Sequence, residues 1–168
     1  MSDAFGRRLR DLVDGVRSEL EGHQENRHLD ASAAAARRRH LEKVVQAEVE
    51  SMLQGAGGVL ASLGLKAKAT PEEIRIEAIP GARLPEQYPP WMRIGFRVPA
   101  FEDTRVAVLE VTWRVDDPRT PLPESPNTLR HVVGDDSSAG LAEVRDFLGV
   151  TIEDFATNVV KHDTLPQG

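Results

Sequence analysis

An α+β fold is predicted by three observations. The N-terminal third carries apolar residues at helical spacing, the central third alternates apolar and polar residues, and the C-terminal stretch returns to helical spacing. Together they predict an N-terminal long amphipathic helix or helical hairpin, a three- to four-stranded antiparallel meander sheet and two short C-terminal helices. Residues 1–29 are expected to form an N-terminal amphipathic helix and polar connector. Residues 30–168 are expected to form a single α+β domain, with a long helix at 30–64, the sheet at about 72–133 and the C-terminal helices at about 138–162.

The first helix rests on Phe5, Leu9, Leu12, Val16 and Leu20, which share one helical face. Gly22 and the polar run His23–His28 weaken helix formation there. A second start is expected at Asp30 or Ser32, both good N-cap residues, ahead of Ala33–Ala36. Val45, Val49, Met52, Ala56, Val59 and Leu63 then come at alternating spacings of four and three, a heptad-like seam. A helix over 31–64 would be about 50 Å long at ~1.5 Å per residue, more than a small domain covers. The seam is therefore expected to meet a second chain through Val45, Val49, Met52 and Val59. Gly55, Gly57 and Gly58 are a weak point in it, and Gly64 is the expected stop.

Three strands come next. Ile74, Ile76 and Ala78 alternate with Arg75 and Glu77; Met92, Ile94, Phe96 and Val98 alternate with Arg93, Gly95 and Arg97. Ala107, Leu109, Val111, Trp113 and Val115 alternate with Val106, Val108, Glu110, Thr112 and Arg114. The Phe96–Val115 stretch reads as a hairpin closed through Pro99–Thr104. Asp116–Pro126 holds four prolines and forms an exposed loop. Leu129–Val133 gives a short fourth strand. The run GDDSS is a turn and helix cap. One short helix then carries Leu141, Val144, Phe147 and Leu148 and stops at Gly149. Thr151 and Asp154 form a capping box before a second, and residues 162–168 are expected to fray.

Composition narrows the function. The 168-residue chain is 40% hydrophobic and 29% charged, enough to bury a core unaided. The absence of Cys excludes thiol catalysis, disulfides and thiolate metal sites. No apolar run is long enough for a membrane span, and the charged start MSDAFGRRLR lacks a secretory apolar region, so a cytoplasmic protein is expected. A net charge of −6 and 5% aromatic content argue against nucleic acid as partner. The expected partner is another copy of the chain, or another protein, met through the N-terminal helices. No cofactor is expected: no phosphate loop, no GxGxxG after a strand and no GxSxG elbow is present.

Candidate chemistry is sparse. A divergent metal-dependent hydrolase or nuclease would centre on Glu110 with His131 and Asp135 in the 131–136 turn, since carboxylates and imidazole hold divalent cations. The order helix, three strands, helix resembles the core of the PD-(D/E)xK nucleases. That resemblance implies a carboxylate and a Lys two residues on in the third strand and an Asp in the second. Here Glu110 is succeeded by Val111 and Thr112, and no Asp lies near Pro89-Pro90-Trp91, so the resemblance covers element order and one Glu. LAEVRDFLGVTIEDFA resembles the helix-turn-helix of DNA-binding regulators, but Glu153 and Asp154 would repel phosphate. A third expectation is a small-ligand pocket between sheet and long helix. The leading one is a non-enzymatic protein–protein interaction module, an oligomeric accessory or adaptor subunit of a larger bacterial-type assembly.

Overall fold

The computed structural model describes residues 2–82, 84, 88–98, 104–117, 119 and 125–163, with the backbone alone at 2, 3 and 163. Its elements are α1 (Ser2–Ser62), β1 (Leu65–Ala69), β2 (Glu73–Ala78), β3 (Trp91–Phe96), β4 (Ala107–Arg114), β5 (Asn127–Val133) and α2 (Ser138–Asp163). The class is α+β, as expected. The centre of the predicted hairpin turn, the core of the proline-rich loop and the tail after Asp163 lie outside the described residues.

α1 is one continuous helix of 61 residues, about 90 Å long at ~1.5 Å per residue. The stretch at 22–29, which the sequence leaves open between a polar connector and a continued helix, continues the helix. No proline enters the sequence before Pro71, and Glu21, Gln24, Glu25 and Arg27 are good helix formers around Gly22. The helix also runs through Gly55, Gly57 and Gly58. All three face open space, so they mark no close packing. Gly64 does end it. Its φ of +79° suits a residue without a Cβ, and Leu63 N–H donates to the carbonyls of Val59 and Leu60 at 3.2 and 3.0 Å. A Cβ at Gly64 would also lie 2.9 Å from that of Ala82.

The sheet has five strands in the order β1-β2-β3-β4-β5, all antiparallel. Three of the expected strands match β2, β3 and β4, and the fourth is β5. β1, LKAKA, is a strand beyond those expected. Ala and Lys are poor strand formers, and only Leu65 is buried. It is held by the tight turn at Thr70, whose hydroxyl donates to the Glu73 carbonyl at 2.9 Å, while Gln46 Nε2 of α1 donates to the Thr70 carbonyl at 3.2 Å. Register places Leu65, Ile74, Ile76, Met92, Ile94, Ala107, Leu109, Val111 and Val133 on one face. That face buries against Leu41, Val45, Val49, Leu53 and Leu60 of α1 and Val144, Leu148, Phe155 and Val159 of α2.

α2 is a single helix of 26 residues, not two. Gly149 faces open space and does not stop it. Thr151, expected as a cap, is buried and donates its hydroxyl to the Phe147 carbonyl at 2.7 Å, a bond a helix interior accommodates. With no turn between two helices, the helix-turn-helix likeness has no structural counterpart. The true cap is Ser137, whose Oγ accepts from Gly140 N–H at 3.1 Å. α2 is fastened to α1 by the Arg145–Glu48 ion pair and by Asp136, which meets His40 at 3.0 Å and Arg37 at 4.0 Å.

Candidate functional site: a projecting helical arm

The core begins on α1 at Ala34. From Ala4 to Asp30 every residue except Gly22 is exposed, a span of about 40 Å at ~1.5 Å per residue. This first half of α1 projects from the body as an arm. Phe5, Leu9, Leu12, Val13, Val16 and Leu20 lie on it, each between 44 and 70% exposed. At ~100° of rotation per residue, all six fall within one apolar sector. The sector is in phase with the one formed by Ala34, Leu41, Val45 and Val49. The arm therefore shows its apolar stripe on the same side that the sheet covers further along. Between the two stretches the sector is occupied by His23, Arg27 and Asp30.

The four residues expected at an interface are placed otherwise. Val45 and Val49 are sealed between α1 and the sheet, Met52 packs beside that core, and Val59 stands at the exposed edge, 64% accessible. A second chain would have to displace the sheet to reach the first two. Spacing alone cannot distinguish a stripe covered by the chain itself from one left open. The distinguishing signal lies further along the chain. Phe5–Leu20 gives way to polar residues on its own face, whereas the 34–60 stripe leads into the strands that cover it.

The residues considered for catalysis are not brought together. Register pairs Leu109 with His131 and Glu110 with Arg130, so His131 and Glu110 lie on opposite faces of the sheet. Glu110 is paired with Arg130 Nε at 2.9 Å. His131 stacks on Phe147 of α2, ring centroids 5.2 Å apart. Asp135 accepts from the N–H and the hydroxyl of Ser137, which hold its carboxyl below the usual range, the hydroxyl foremost. Asp136 is held low chiefly by its hydrogen bond to His40. Among the described residues no three His, Asp or Glu side chains form a group able to hold a metal ion.

No helix packs on the second sheet face among the described residues. It carries Lys66, Lys68, Arg75, Arg93, Arg97, Arg114 and Arg130 against Glu73, Glu77 and Glu110, and Trp91 lies under the Arg93 and Arg114 guanidiniums, each 5.8 Å from the ring centroid. Much of this charge is internally paired: Glu73 meets Arg75 at 2.6 Å and Arg93 at 3.1 Å. An open cleft of about 660 Å³ at the end of β2 and β3 includes Arg38, Lys43, Arg93, Arg97 and Glu110. Glu42 lines it too, its carboxyl pushed up by burial against the opposing pull of Arg38 and Arg39. Between α1 and the sheet itself, beside Val49 and Ile94, the space is only about 10 Å³, room for about one water.

Comparison with protein-family models, with curated proteins and with solved structures gives no match for this chain. Among the described residues no helix is long and apolar enough to cross a membrane.

Proposed function

We propose that this protein is a non-catalytic interaction module that self-associates through the arm, serving as an oligomeric adaptor or accessory subunit. One observation carries the reading: six large apolar side chains on a single face of a projecting helix are exposed, with no partner among the described residues. Most helix stability in proteins comes from packing an apolar face. An arm with an uncovered stripe is stabilised when a second helix covers it. Exposed apolar patches of this kind mark association surfaces. The body supplies a rigid base, since α1 is anchored along the sheet from Ala34 onward.

The test replaces Leu12 and Val16 together by Glu, which keeps helix propensity and removes the stripe's centre. Light scattering is expected to show the mass of the unaltered protein fall to that of one chain, 18.5 kDa. Urea unfolding of the body should stay within about 0.5 kcal/mol, because both positions are exposed. A double variant with the same mass as the unaltered protein would remove the arm from the interface.

A further inference from the structure

We infer that two copies join arm to arm in antiparallel fashion, about a two-fold axis between Leu12 and Val13; this rests on the proposed self-association and specifies its geometry. The stripe is its own complement under reversal. Phe5 and Leu20, Leu9 and Val16, and Leu12 and Val13 each sum to 25, and these pairs are all the large apolar residues of the arm except Leu29, which lies outside the sector. In an antiparallel pair centred at 12.5, Leu9 of one copy comes level with Val16 of the other. Phe5 comes level with Leu20, and the two central pairs meet across the axis. A two-fold pair needs such a self-complementary patch.

The body excludes the parallel alternative. The sheet lies on the side of α1 that carries the stripe. Two parallel arms would pack at ~8–10 Å between axes. From residue 34 on, both sheets would then have to fit between the same two helices. Each helix–sheet layer needs roughly 10 Å of its own, and α1 is continuous, with no break at which to diverge. Reversing one arm sends the two bodies to opposite ends. Ala4 of one copy then comes level with Glu21 of the other, just short of the point where the stripe gives way to His23, Arg27 and Asp30.

One flank of the stripe is charge-complementary in this orientation. Arg8 and Glu19 border the stripe on the same flank, and in an antiparallel pair like flanks face each other. Arg8 of one copy then lies within about two residues, ~3 Å along the axis, of Glu19 of the other, and the two-fold makes this pair twice. On the other flank Arg10 of one copy comes equally near Arg17 of the other, and each has a carboxylate of its own helix four residues on, Asp14 and Glu21, to offset that repulsion.

The chain has no Cys, so engineered thiols report without background. Full-length Leu9→Cys and Val16→Cys proteins are prepared, mixed under reducing conditions and then oxidised. The expected product is the mixed disulfide. Neither variant alone should crosslink, because like positions lie about seven residues, ~10 Å, apart along the axis. Self-crosslinking of each variant alone would show parallel arms, overturning this inference while leaving self-association intact. No crosslink, with a dimer's mass retained, would overturn the register. No crosslink with a monomer's mass would overturn both readings. As a second measurement, Arg8→Glu and Glu19→Arg should each weaken dimerisation several-fold at low salt, and the double variant should recover it. Failure of that recovery would contradict the antiparallel pairing.

Discussion

Two glycines of α1 show how one residue type acts in opposite directions. Gly57 lies inside the helix with open space where a side chain would be, so Gly57→Ala removes backbone freedom from the unfolded chain and adds nothing that clashes. It should stabilise by about 0.5–1 kcal/mol in urea unfolding. Gly64 sits at φ +79° with Ala82 against it, so Gly64→Ala should destabilise by more than about 1 kcal/mol in the same measurement. Equal shifts of the same sign would contradict the helix boundary. Three aspartates contribute to the acid response. Asp117 is held down at about 2 by Arg119, through the side chain first and then the backbone N–H, and Asp135 and Asp136 are held low by Ser137 and His40. Their folded-state values lie below the ordinary ~3.9. The stability they contribute is therefore present above about pH 4 and lost as pH falls toward 2. Replacing all three by Asn should flatten the decline of stability across that window; an unchanged acid titration by circular dichroism would contradict these pairings.

At the level of elements, the two halves of α1 should answer differently to the same substitution. Leu41 is fully buried against the sheet, and Leu41→Ala should cost about 2–5 kcal/mol of body stability. Leu9→Ala should leave the body's unfolding nearly unchanged and weaken self-association instead. Comparable losses in body stability would mean that the arm folds back on the domain. The sequence shows both stripes plainly, and it shows β2, β3 and β4 through alternation of apolar and polar residues. It hides β1, where Lys66 and Lys68 alternate with alanines that look helical, and it suggests breaks at Gly22 and Gly149 that packing and flanking helix formers override. It also favours the wrong stripe as the open one. Val45 and Val49 have the better heptad spacing, yet the strands at 65–114 cover them, and no local pattern reports a cover that arrives later in the chain. Glu110 and His131 are 21 positions apart, but a pairing register that sets them on opposite faces is invisible until the strands are aligned.

Considered whole, the molecule is a two-layer body with a helix about twice as long as the body needs. Amide hydrogen exchange of residues 6–20 should slow as protein concentration rises, because pairing and ordering of the arm are linked, whereas exchange in β3 and β4 should not change. The stripe is short, with six side chains per copy, so its gain is set against a large association cost and a dimer of about micromolar affinity is expected. Sedimentation equilibrium of the unaltered full-length protein from about 1 to 300 μM tests the self-association most directly. The expected result is a monomer–dimer equilibrium approaching twice the 18.5 kDa chain mass at the upper end. A single monomer mass across the whole range would contradict it.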